Sequence, residues 1–184
     1  MRRARRPFDL DDPARIATPE LDDVRQPGLR RGGAVAGVSR DPKQPANLIF
    51  RRLRDTGHEV FAVNPQADEV EGVHAFHAVA EIPGGVDGVV VVTPAAASAA
   101  VVEDCAAAGV PRVWLHRGIG PGSRSDEAIE ACHRHGIAVI PGGCPNMFGA
   151  TSDAGHRGMR RMLQLTHKVP RELDDEDWCC QAQH

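Results

Sequence analysis

Short apolar runs alternate with longer amphipathic stretches along the middle of the chain. Residues 33–38 (Gly-Ala-Val-Ala-Gly-Val) and 59–63 (Glu-Val-Phe-Ala-Val) have the length and β-branched content of buried strands. Between them Pro45 suits a first helical turn. The apolar positions Leu48, Ile49, Phe50 and Leu53 then recur at helical spacing, with Arg51, Arg52 and Arg54 on the wet side and Gly57 as the stop. Residues 86–92 are nearly all valine, as expected for a strand covered on both faces. Thr93 reads as an N-cap and Pro94 as the first residue of an alanine-rich helix that stops at Gly109. Residues 110–115 form a fourth strand, a loop over 118–125 leads into a helix ending near His135 and Gly136, and residues 137–140 form a fifth strand. Residues 66–85 show no clear period, and Ile82-Pro-Gly-Gly85 reads as a turn.

Strands alternating with helices imply parallel strands joined by right-handed crossovers. The expected fold class is therefore α/β, a doubly wound, mostly parallel sheet of five strands or slightly more in a single domain. Residues 31–150 would form that domain. Residues 1–30 would be an extension with a helix near 19–25. Residues 151–184 would add a helix over 153–166 and an acidic tail.

A length of 184 residues suffices for one substantial core. No apolar run is long enough to cross a bilayer. The basic start (Arg2, Arg3, Arg5, Arg6) is followed by Asp9, Asp11 and Asp12 in place of an apolar signal region, which points to the cytoplasm. Five cysteines without a CxxC pair argue for reduced thiols, not a zinc ribbon or a disulfide framework. A net charge of −3 and the absence of tyrosine offer nucleic acid neither a basic surface nor a stacking platform.

In an open parallel sheet, ligands bind beyond the carboxyl ends of the strands, where the strand order reverses. Those ends are Gly37-Val-Ser-Arg40, Asn64-Pro65, Thr93-Pro94, His116-Arg-Gly118 and Gly142-Gly-Cys-Pro145. Gly37 lets a phosphate approach the backbone, and the amides of Val38 and Ser39, the Ser39 hydroxyl, the Arg40 guanidinium and the following helix N-terminus all suit an anion. Gly32 and Gly37 have the P-loop glycine spacing, but Val38-Ser39 stands where Lys-Ser/Thr is required. The dinucleotide fingerprint GxGxxG is absent, and Asn64 ends the second strand where NAD proteins carry a carboxylate.

Gly37-Val-Ser-Arg-Asp-Pro-Lys-Gln-Pro45, Val63-Asn-Pro65, Val91-Val-Thr-Pro94, Val113-Trp-Leu-His-Arg-Gly-Ile119 and Gly142-Gly-Cys-Pro145 together resemble the stand-alone CoA-binding proteins. These are similar to the Rossmann-like nucleotide-binding domain of the succinyl-CoA synthetase α subunit. The resemblance spans residues 32–148. It implies that Gly37, Val38, Ser39 and Arg40 hold the CoA phosphates and that Val63, Asn64 and Pro65 border the ribose and its 3′-phosphate. It further implies that Thr93 and Pro94 lie against adenine, that His116, Arg117 and Gly118 line the pantetheine side, and that Cys144 and Pro145 close the pocket. The chain lacks the synthetase's second domain with its phosphorylated histidine, so acyl-CoA ligation by this chain alone is not expected. The resulting expectation is a non-catalytic binder of CoA or acyl-CoA, acting as sensor, carrier or partner subunit. The rivals are an oxidoreductase using NAD(P), with NADP favoured because Arg40 suits a 2′-phosphate, and a nucleotide-sensing regulatory module. A homodimer or an enzyme partner stays open.

Other features read more plainly. Cys144 is a candidate reactive thiol, set against a small buried residue before proline. His116 titrates in a range useful for acid–base work, but no carboxylate at a diagnostic spacing orients it. Cys132-His-Arg-His135 suggests a metal, yet residues two apart on a helix do not share a face, so no metal site is assigned. Met159, Met162 and Leu163 read as the packing face of a terminal helix.

Overall fold

The computed structural model describes residues 32–147, except 119 and 121, and residues 154–165. Strand β1 (Gly33–Ala36) is followed by α1 (Pro45–Asp55), β2 (Val60–Val63) and a short hairpin of β3 (Glu69–Val70) and β4 (Val73–Phe76). A 3-10 turn at Val79–Glu81 precedes β5 (Gly88–Val91), α2 (Ala95–Ala107), β6 (Arg112–Leu115), α3 (Asp126–Arg134) and β7 (Ala138–Ile140). A 3-10 turn at Pro145–Met147 and α4 (Ala154–Leu165) complete the described elements. The expected helix near 19–25 and the acidic tail lie outside the described residues.

The sheet has seven strands in the order β3-β4-β2-β1-β5-β6-β7. All neighbours are parallel except the β3–β4 hairpin. β1 sits at the centre, with Ala36 beside Val63 on one side and beside Val91 on the other. The chain winds outward from β1 in one direction through β2 and in the other through β5. The reversal therefore falls between β1 and β5, the position at which open α/β sheets in general bind ligands.

Alternating side chains feed two cores. Val35, Val90, Trp114 and Ile140 face α1 and α4, where Ile49, Phe50, Leu53 and Leu163 pack. Ala34, Ala36, Val89, Val91, Val113 and Leu115 face α2 and α3, meeting Val102, Cys105, Ala128 and Cys132. Burying Ile49, Phe50 or Leu53 from an exposed state is worth about 1.5–3 kcal/mol each, so this apolar stripe is what seats α1 on the sheet. The α3 start is fixed locally: the Ser125 hydroxyl accepts from the Ala128 amide at 3.1 Å, with Asp126 and Glu127 in the first turn.

Two sequence expectations shift. The irregular stretch after Pro65 contains the hairpin, because Glu71 (φ 51°) and Gly72 (φ 70°) form a two-residue turn that pairs Val70 with Val73. Helix α2 also starts one residue late, with Pro94 at the N-cap position and Ala95 first. The Thr93 hydroxyl meets Ser98 Oγ at 3.2 Å instead of capping a helical amide.

Candidate functional site

The five strand ends are stitched together by hydrogen bonds that cross the rim in strand order. The Asn64 side-chain amide donates to the Val38 carbonyl at 2.6 Å, joining the exits of β2 and β1. The Gly37 amide donates to the Val63 carbonyl at 2.9 Å. Gly37 has φ 104°, and its face is pressed against the backbone at Val92. From β5 the link passes through Ser123, a fully buried residue whose hydroxyl donates to the Thr93 carbonyl at 2.7 Å and whose amide donates to the His116 carbonyl at 2.7 Å. The Arg117 amide then donates to the Gly143 carbonyl at 2.8 Å, and the Trp114 indole donates to the Gly142 carbonyl at 2.9 Å. Segments more than a hundred positions apart in the chain thus form one continuous edge.

Which polar groups are already paired within the protein differs from position to position. The Ser39 amide, a donor on sequence grounds, is taken by Asn47 Oδ1 at 2.9 Å. The amides of Val38 and Arg40 have no partner among the described residues. The Ser39 hydroxyl accepts from the Asp41 amide at 3.1 Å, which leaves its own proton for an external acceptor. Arg40 is exposed, and its guanidinium bonds the Gln66 carbonyl with part of its donor fork. Lys43 and Pro65 are exposed, and Pro94 is exposed at the head of α2. Both ends of the Asn64 side chain are engaged within the protein, because Oδ1 accepts from the Gln66 amide at 2.7 Å. Val38, Val63, Cys144 and Pro145 are buried, so they shape the rim through backbone and packing.

The β6 end is chemically distinct. His116 is buried, its imidazole lies over Gly118 with Cε1 3.8 Å from where a β-carbon would stand, and burial pushes its pKa down to about 4. The ring is therefore neutral at pH 7, a hydrogen-bonding surface and not a cation. Gly122 permits this turn: it has φ 65°, and a β-carbon there would stand 2.3 Å from the His116 carbonyl. Two buried polar groups that follow β6 and β7, Nε of Arg117 and the side-chain amide of Asn146, have no hydrogen-bond partner among the described residues. No group of three or more His, Cys, Asp or Glu suited to a metal occurs among the described residues.

Residues 31–150 match the family described as CoA binding domain. The chain belongs to that family. As a CoA-binding domain it is 36% identical over 121 residues to the α subunit of an ADP-forming acetate–CoA ligase from Pyrococcus furiosus, a match covering 62% of this chain and 26% of that one. The chain thus spans about a quarter of the length of that ligase subunit. It is 30% identical to the uncharacterized protein YneT of Bacillus subtilis, covering 66% of this chain and 85% of YneT. Among solved structures, a conserved hypothetical protein from Pyrococcus furiosus superposes with a TM-score of 0.54 at 31% identity, covering 61% of this chain and 92% of that one. The apo dinucleotide-forming acetyl-coenzyme A synthetase 1 of Ca. Korarchaeum cryptofilum superposes with a TM-score of 0.52 at 27% identity, over 60% of this chain and 26% of that one.

Sequence reasoning missed three residues of this CoA-binding domain that organise the rim: Asn47, Glu71 and Ser123. Each carries a polar side chain that is buried or nearly so, and each acts on a partner at least eight positions away. A buried polar residue in a helix or turn carries no local signature of what it will bond.

Proposed function

We propose that the rim binds coenzyme A or an acyl-CoA, and that the chain acts as a stand-alone, non-catalytic binder serving as sensor, carrier or partner of a separate enzyme. The single observation that carries this reading is the set of unused donors after β1: the amides of Val38 and Arg40, the Ser39 hydroxyl proton and the spare N–H groups of Arg40. They lie at the reversal of strand order, next to Gly37, whose close packing on the Val92 backbone brings the β1 and β5 exits together. A diphosphate needs several converging donors of this kind, and charge-assisted bonds from a guanidinium add both energy and direction.

The β6 and β7 exits suit the other end of the same ligand. A pantetheine arm carries two amides, and the neutral His116 ring at the β6 exit is a group that pairs with amides. Membership of the CoA-binding-domain family and likeness to the acetate–CoA ligase subunit support the choice of coenzyme A over a nicotinamide cofactor. No reaction is assigned, because the neutral His116 has no carboxylate partner among the described residues and Cys144 is buried.

Isothermal titration with CoA, acetyl-CoA, NAD and NADP tests the reading. CoA or acetyl-CoA should bind, and both nicotinamide nucleotides should bind far more weakly. NADP binding without CoA binding would transfer the site to the oxidoreductase class.

A further inference from the structure

Two residues outside the five strand exits, Asn47 and Glu71, form a hydrogen-bonded chain to the loop after β1. Asn47, in the first turn of α1, is fully buried. Its Oδ1 accepts from the Ser39 amide at 2.9 Å, and its Nδ2 donates to the Ser39 carbonyl at 2.6 Å. One side chain thereby fixes both peptide planes that flank Ser39. Those planes set where the Arg40 amide and the Ser39 hydroxyl point.

The second proton of Asn47 Nδ2 goes to Glu71 Oε1 at 2.6 Å. The same carboxylate oxygen takes Nη1 of Arg51 at 2.6 Å, and Nη2 of Arg51 reaches the Pro42 carbonyl at 3.0 Å, back in the β1–α1 loop. Arg54 approaches the Glu71 carbonyl at 3.4 Å. Asn47, Arg51 and Arg54 are spaced four and three apart, so one face of α1 grips the β3–β4 turn. The two acceptors around Nδ2 also settle the Asn47 orientation: a flipped amide would set its oxygen against a carbonyl and a carboxylate.

Glu71 stands in this turn against its backbone preference. Its φ of 51° lies in the left-handed region, where glycine or asparagine is the usual occupant. What a glutamate supplies there is reach to Asn47 and Arg51. Its side chain is only 12% exposed. Burial opposes its charge, but the bonds from Asn47 and Arg51 outweigh that and hold the carboxyl below its ordinary range, so it is ionised at neutral pH.

We propose that Glu71 is a positioning residue for the anion-binding loop: its carboxylate holds the Asn47 amide, and Asn47 in turn holds the Ser39 peptides in the shape that receives a diphosphate. The proposal rests on the function proposed above and extends it to a residue that does not itself touch the ligand. Without the carboxylate, Asn47 loses one of three bonds and Arg51 loses its anchor, and the loop samples other orientations.

The test compares the full chain with Glu71→Ala and Glu71→Gln, measuring CoA affinity by calorimetry and, without ligand, the hydrogen exchange of the Ser39 amide by NMR. Glu71→Ala should exchange that amide about tenfold faster and bind CoA about 5–20-fold more weakly. Glu71→Gln keeps an oxygen that accepts from Asn47 and should stay within about threefold of the parent in both. Wild-type protection and wild-type affinity in Glu71→Ala overturn the proposal. So does a Glu71→Gln protein as weak as Glu71→Ala, since charge and not the Asn47 bond would then be the active element. A parent chain that does not bind CoA refutes the functional reading instead. In that case the ligand-free Ser39 exchange alone decides whether Glu71 positions the loop: faster exchange in Glu71→Ala upholds it, and unchanged exchange refutes it.

Discussion

Gly37 and Val92 pack backbone to backbone, so closely that a β-carbon on Gly37 would stand 2.7 Å from the Val92 carbonyl oxygen. This contact sits at the point where strand order reverses, and it brings the exits of β1 and β5 together. Glycine is required twice over, by the space and by φ 104°. Gly37→Ala is expected to cost about 2 kcal/mol or more in chemical denaturation and to abolish CoA binding. Wild-type stability in that variant would show that the β5 exit moves aside freely.

Ser39 and Arg40 contribute donors that the fold itself does not need. Ser39→Ala and Arg40→Ala should each weaken CoA binding by about 1–3 kcal/mol while leaving the unfolding midpoint nearly unchanged. Calorimetry and thermal melting on the same samples check both halves. Unaltered affinity in both variants removes the β1 loop as the phosphate cradle.

His116 makes the fold sensitive to acid. Its pKa is depressed to about 4 by burial, so the unfolded chain binds its proton more readily than the folded one. Its contribution is fully present above the unfolded value of about 6.5 and is lost as pH falls toward 4. Between pH 7 and pH 5 this group should account for a loss on the order of 1–2 kcal/mol. His116→Gln should flatten that part of the stability–pH curve, and an unchanged slope would place the acid sensitivity elsewhere.

Asn146 is completely buried, and neither end of its amide is paired among the described residues. An unsatisfied buried amide costs roughly 1–3 kcal/mol, so Asn146→Leu, of similar size, should stabilise the ligand-free protein by about 1–2 kcal/mol. A destabilised Asn146→Leu protein would mean that the amide has a partner in the folded chain.

Cys105, Cys132 and Cys144 are buried, and burial, helped by the neighbouring Asp104 charge, pushes the Cys105 pKa far up. In a Cys179→Ser, Cys180→Ser background, thiol labelling of the native protein should therefore be slow for all three and become rapid on unfolding. Rapid native labelling of Cys144 would restore its candidacy as a reactive group.

Much of this architecture was legible along the chain. The α1 stripe of Ile49, Phe50 and Leu53 and the valine run through β5 announce themselves by periodicity. Pro45 and Gly57 mark α1 by their backbone constraints, and Gly37 marks the turn after β1. The hairpin was not legible, because two-residue pairing at a sheet edge leaves too short an alternation to stand out beside Gly72. Nor was the α2 start fixed to the residue, since Thr93 can cap a helix or, as here, bond another side chain.

What sequence alone determined is therefore whatever depends on near neighbours: apolar period, turn chemistry and the succession of strands and helices that places five particular exits on one rim. The tertiary structure decided the partners of the polar groups. Asn47 meets Glu71 across 24 positions, Ser123 meets Thr93 across 30, and Trp114 meets Gly142 across 28. Hydrogen bonds are short and directional, so which donor faces which acceptor is settled only when packed helices and strands bring distant backbone within about 3 Å.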